Sequence, residues 1–125
     1  MKKKKIMVVD DEEDFLTMLK LNLEQAGQYD VFTLSNAKDI VSKVNNFLPD
    51  VILLDLLMPG IGGIEACQML NKDPVGSRIP IIALSALDKD ADKLKAYKVG
   101  IVDYLTKPVE LDTIIKSIEK ALKFK

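Results

Sequence analysis

Residues 6–11 read "IMVVDD", four apolar residues that end at once in two adjacent aspartates, with Glu12, Glu13 and Asp14 still to follow. The run is that of a buried strand, rich in branched side chains that pack on a pleated surface. Like charges crowded at the end of such a strand cost free energy unless something compensates them. The compensation has to come from elsewhere in the chain.

Similar short runs recur along the sequence. "KIMVV" (5–9), "YDVFTL" (29–34), "DVILLDL" (50–56), "IPIIALS" (79–85) and "GIVDYLT" (100–106) alternate with longer segments of helical period. Phe15, Leu16, Leu19, Leu23 and Ala26 fall at helical spacing, and Gly27 follows as a stop. The segment from Ser35 to Phe47 repeats the pattern with Ile40, Val41 and Val44, and Pro49 marks its end. Leu111, Ile114, Ile115, Ile118 and Leu122 form the last stripe. Five strands alternating with five helices predict an α/β protein with a doubly wound parallel sheet. The first, third and fourth runs are apolar almost throughout, whereas "YDVFTL" is mixed and belongs at an edge. The expected architecture is a flavodoxin-like three-layer (βα)5 sandwich with strand order 2-1-3-4-5.

At 125 residues the chain fits one domain, 1–125, able to bury roughly two-thirds of its unfolded surface without disulfides. A formal net charge of -1 gives no global attraction to nucleic acid or to an anionic membrane. Cys67 is the single cysteine, so no internal disulfide forms; it reads as a small core residue on the third helix, and a reducing compartment suits it. Lys2 to Lys5 resemble the start of a signal peptide, but the apolar run after them is too short to complete one. They read as a solvated terminus. No stretch approaches the roughly 20 apolar residues of a membrane span, and a soluble cytoplasmic domain is expected.

Function is read at the strand ends, because an open parallel sheet binds ligands beyond its carboxyl edge where the strand order reverses. The first strand ends in Asp10 and Asp11, the third reaches Asp55, the fourth Ser85 and the fifth Lys107. Two carboxylates about 4 to 5 Å apart repel by roughly 3 to 4 kcal/mol at an effective dielectric near 20. A hard divalent cation removes that penalty, and oxygen ligands without histidine favour Mg²⁺, with Mn²⁺ as a substitute, over zinc. Such an ion bridges carboxylates to phosphate oxygens, so the rim reads as a site for phosphoryl chemistry, with Lys107 and Ser85 as further contacts.

In these residues the chain resembles the receiver domains of two-component response regulators, particularly single-domain receivers of the chemotaxis-regulator type. The motifs are Asp10 and Asp11, Asp55 within "DVILLDLLMPGIGG", Ser85 in "PIIALSA", and "YLTKP" with Tyr104, Lys107 and Pro108. The resemblance implies that Asp55 accepts a phosphoryl group from a phosphohistidine on a sensor histidine kinase or a histidine phosphotransfer protein. It implies a Mg²⁺ held by Asp11, Asp55, the backbone carbonyl of Leu57 and, through water, Asp10. Lys107 and Ser85 would each contact a phosphoryl oxygen, and Tyr104 would be the switch aromatic. The Lys107–Pro108 bond would be cis, as only a few per cent of X-Pro bonds are in folded proteins. The apolar Leu57 side chain, near the path of attacking water, would slow hydrolysis of the acyl phosphate.

Each residue also has a plainer reading. Asp10 and Asp11 could cap the first helix; Ser85 or Asp88 could cap the fourth. Lys107 could be an ordinary exposed lysine and Tyr104 a half-buried core aromatic. The chain has no histidine, so it is not itself a histidine kinase or phosphotransfer protein, and it lacks the glycine-rich loops of NTPases and dinucleotide enzymes. Haloacid-dehalogenase-type phosphatases place D-x-D-x-T after a strand, which "DLLMP" does not match. No DNA-binding segment follows the last helix, so the expected output is a protein partner, an attached output domain or a phosphorylation-dependent dimer. The expected surface is helix four, strand five and helix five, which carry Lys93, Lys95, Tyr97, Lys98 and Lys116. The competing expectation is a constitutive protein-binding module on the same fold.

Overall fold

The computed structural model describes residues 2–123. Strands β1 (Lys4–Val9), β2 (Tyr29–Leu34), β3 (Val51–Asp55), β4 (Ile81–Ser85) and β5 (Asp103–Thr106) form one sheet in the order β2-β1-β3-β4-β5, every pair parallel. The helices between and after them are α1 (Glu13–Gln25), α2 (Ile40–Phe47), α3 (Gly63–Asn71), α4 (Asp90–Lys98) and α5 (Leu111–Lys123), with a 3₁₀ turn at Gly76–Arg78. This is the doubly wound fold expected from the alternation, with the mixed "YDVFTL" run at one edge.

The period of two along each central strand divides the core. Met7, Val9, Ile52 and Leu54 face α2, α3 and α4 through Ile40, Val44, Ala66, Leu70 and Ala96. Ile6, Val8, Leu53, Ile82 and Leu84 face α1 and α5 through Leu16, Leu19, Leu23, Ile114 and Ile118. Because both faces are covered, β1, β3 and β4 show continuous apolar runs rather than alternation.

Several strand boundaries differ from the sequence reading by one or two residues, and two element starts differ by three or more. Helix α2 starts at Ile40 rather than Ser35, because Asn36 Oδ1 accepts the Lys38 N–H at 3.0 Å and holds the chain in a turn. Strand β5 starts at Asp103 rather than Gly100, which sits at φ +97° at the end of α4, a conformation suited to glycine.

Leu53 lies fully buried at the centre of the sheet. Leu53→Ala is expected to lower the unfolding free energy by about 2–5 kcal/mol in urea titrations. A loss under about 1 kcal/mol would contradict this packing.

Candidate functional site

Register alone brings the carboxylates together. Val9 pairs with Leu54 and Asp55 with Leu84, so the residue after β1 and the last residue of β3 leave the sheet side by side. Asp10 and Asp55 are buried and Asp11 is exposed, and one oxygen from each lies within 4.8 Å of the others. Backbone amides aim two of them: Asp10 Oδ1 accepts the Glu12 N–H at 2.9 Å and Asp55 Oδ1 accepts the Leu57 N–H at 3.0 Å. The remaining oxygens turn to the cation supplied by β5.

That cation is Lys107. Its Nζ lies 2.5 Å from Asp10 Oδ2, 3.2 Å from Glu12 Oε1 and 3.8 Å from Asp55 Oδ2, and 4.5 Å above the Phe15 ring. Its backbone N–H donates to the Ser85 carbonyl at 2.8 Å, and the Lys107–Pro108 peptide is cis. Burial pulls the ammonium pKa down, but the hydrogen bond it donates to Asp10, the charges of Asp55 and Asp10, and the bond it donates to Glu12 outweigh it and hold the pKa above the usual lysine value. One ammonium therefore serves three carboxylates, those of Asp10, Glu12 and Asp55, with Asp11 beside two of them.

The shortfall shows at Asp55, whose carboxyl is pushed from 3.8 up to about 6. Burial is the main cause; the Leu57 amide and Lys107 pull the other way, and the charges of Asp10 and Asp11 add to the rise. An all-oxygen donor set with surplus negative charge suits a hard divalent cation.

Ser85 is fully buried, and its Oγ accepts the Leu87 N–H at 3.1 Å. The Tyr104 hydroxyl donates to the carbonyl of the same Leu87 at 2.6 Å. The loop after β4 is thus gripped at one residue by two groups from the rim. Helix capping does not account for the acids or for Ser85: α1 starts from Glu12 and α4 from Lys89, and neither has a side-chain cap.

Sequence reasoning missed three contributors. Glu12 was only one acid among several, and Phe15 carried a core pattern while also lying under Lys107. Gly63 opens α3, where a Cβ would stand 2.6 Å from both the Asp55 carbonyl oxygen and the Leu56 Cα. Only glycine lets α3 start against the end of β3. "GIGG" gave a signal for a turn but not for this approach.

The family model for the response regulator receiver domain matches residues 6–119. The chain is 41% identical over 118 residues to the alkaline phosphatase synthesis transcriptional regulatory protein PhoP of Bacillus subtilis, covering 92% of this chain and 48% of that protein. It is 37% identical to protein PilH of Pseudomonas aeruginosa, covering 94% of this chain and 97% of PilH. It thus spans about half the length of the first relative and nearly all of the second. The crystallised chemotaxis protein CheY4 of Vibrio cholerae superposes with a TM-score of 0.90 at 26% identity, covering 97% of this chain and 100% of that one. The chain belongs to the response regulator receiver domain family, and its acidic pocket is that of a receiver in two-component signalling.

A folded-state pKa near 6 against 3.8 means that the folded protein holds the Asp55 proton more tightly than the unfolded chain does. That contribution to stability is fully present below pH 3.8 and is lost as pH rises through about 6. In EDTA, Asp55→Asn is expected to match the wild type near pH 4 and to exceed it by on the order of 2–3 kcal/mol at pH 7.5. Mg²⁺ should narrow the gap. Urea titrations at both pH values check this, and a constant difference would contradict it. Gly63→Ala should cost about 1–3 kcal/mol by overpacking, read as a fall in Tm.

Proposed function

We propose that Asp55 is the phosphoacceptor of a phosphorylation switch. The observation that carries this reading is the buried carboxylate of Asp55, with its pKa raised, beside a single ammonium and two further aspartates. One Asp55 oxygen attacks the phosphorus of a phosphohistidine; the O–P bond forms as the N–P bond breaks, and the electron pair leaves on the imidazole nitrogen. Asp10, Asp11, Asp55 and the Leu57 carbonyl would hold Mg²⁺, or Mn²⁺ in its place. The ion supplies charge neutralisation for the transferring phosphoryl oxygens. Lys107, with three donors and a position 3.8 Å from Asp55, can keep its bond to Asp10 while offering a proton to a phosphoryl oxygen.

Ser85 and Tyr104 carry the signal outward. If the Ser85 hydroxyl turns to the phosphoryl group, the Leu87 amide loses its acceptor, while Tyr104 still holds the Leu87 carbonyl. The loop then repacks against α4, which buries only Ala96 and leaves Leu94 and Tyr97 exposed. A helix so lightly anchored moves at small cost. The α4-β5-α5 surface, with Lys93, Lys95, Lys98 and Lys116 around it, is the docking face for a downstream protein, an attached output domain or a second copy.

The phosphodonor is a sensor histidine kinase or a histidine phosphotransfer protein, and the setting is the cytoplasm. No helix among the described residues is long and apolar enough to cross a membrane. The constitutive-module reading has no observation in its favour, since Asp10, Asp11, Asp55, Ser85 and Lys107 all lie at the carboxyl edge of the sheet.

Intact-protein mass spectrometry after incubation with acetyl phosphate tests the switch. A phosphoryl adduct that requires Mg²⁺ and is absent from Asp55→Asn is the expected result; no adduct, where another receiver is modified, would overturn it. Leu57 is half exposed. Leu57→Asn should shorten the lifetime of the adduct several-fold by admitting water, and an unchanged lifetime would remove that role.

A further inference from the structure

At the end of the sheet opposite the carboxylates, the turn before β4, the α4–β5 loop and α5 line an open cavity of about 380 Å³. Its wall is chemically divided. Pro80, Val102 and Ala121 give an apolar side, while Arg78 and Lys120 bring two cations. Neither cation has an ion-pair partner among the described residues, where the ion pairs all belong to Lys107.

The acid in the wall is already engaged. Asp103 Oδ2 accepts the Ser117 hydroxyl at 2.6 Å and Oδ1 accepts the Tyr104 N–H at 2.9 Å. Lys120 also borders a second, larger hollow lined by Lys2, Lys3, Lys4 and Lys123. The single acid there, Glu119, accepts the buried Tyr29 hydroxyl. The whole-chain charge of -1 therefore conceals a strongly cationic base. A concave cationic site concentrates anions, and a guanidinium binds carboxylate or phosphate through paired N–H donors.

We propose that this cavity binds a small organic anion, its carboxylate or phosphate head held by Arg78 and Lys120 and its apolar body against Pro80, Val102 and Ala121. The volume lies toward the lower end of the roughly 300–1,000 Å³ typical of small-ligand pockets. The site also reaches the signalling residue. Asp103 holds the backbone N–H of Tyr104, whose hydroxyl grips Leu87 in the loop after β4. An anionic head group that takes the Ser117 hydroxyl away from Asp103 Oδ2 frees the carboxylate that holds the Tyr104 N–H and so shifts Tyr104; by linkage, the factor by which the ligand changes the switch equilibrium is the factor by which activation changes ligand affinity.

The test is a titration of the ¹⁵N-labelled full chain, in EDTA, with phenylacetate and with phenyl phosphate, using phenylacetamide as the uncharged counterpart. Saturable amide shifts at Gly100, Val102, Asp103 and Ser117 are expected, with a dissociation constant on the order of 1 mM for so small a probe. Phenylacetamide should bind about tenfold more weakly, and Arg78→Gln and Lys120→Gln should each weaken the anions about tenfold. Both side chains are exposed, so neither change threatens the fold. The preferred anion identifies the head group. Shifts that do not saturate, that map instead to Lys2–Lys4, or that persist unchanged in Arg78→Gln would overturn the site. Binding that leaves the Tyr104 and Leu87 amides still would refute the coupling. The readout involves no phosphorylation, so it stands or falls separately from the role of Asp55.

Discussion

The ion pair between Lys107 and Asp10 is the contact on which the functional end of the molecule depends. It joins the residue just after β5 to the first residue after β1, across β3 and β4, and the same Lys107 ammonium also reaches Glu12 and Asp55. Removing one partner of a buried pair leaves the other charge uncompensated, which costs more than the pair itself contributes. The fold supports this arrangement from below: parallel register delivers Asp10 and Asp55 to the same level, and Gly63 lets α3 close against the end of β3.

Stability and function pull in opposite directions at this rim. A core with two fully covered faces is available to hold carboxylates that, without a cation, destabilise the folded state. The raised pKa of Asp55 is the direct sign of that conflict. A site of this kind is poised to take up positive charge and phosphoryl oxygens together, because each relieves strain that the other alone would leave or create.

The molecule is also electrically divided along its strands. Acids outnumber cations at the carboxyl ends, while around the hollows at the other end Arg78, Lys120 and the lysines of the first residues outnumber Asp103 and Glu119. Strand β5 connects the two, with Asp103 at its start, Tyr104 next and Lys107 just past its end. Asp103 and Tyr104, the first two residues of this short strand, carry side-chain hydrogen bonds toward both ends of the sheet. Helix α4, held by little more than Ala96, is the neighbour most free to respond.

Much of this was legible in the residues. Continuous apolar runs ending in Asp10, Asp55 and Ser85, with a fifth, mixed run ahead of Lys107, specified a parallel sheet and put those side chains on one rim, since strand ends in such a sheet share an edge. The mixed composition of "YDVFTL" placed it at the margin for the same reason. What the sequence could not carry was distance. That Lys107 would meet Asp10 and Glu12 more closely than Asp55, that Phe15 would lie under its ammonium, and that Ser85 and Tyr104 would hold the two sides of one peptide at Leu87 depend on register, twist and rotamer. The start of α2 at Ile40 depended on a single local hydrogen bond from Asn36, which competes with the helix without altering the apolar pattern. Sequence periodicity determined which elements form and which way their ends face; tertiary packing alone decided which charges touch, because contacts between strands far apart in the chain leave no local trace.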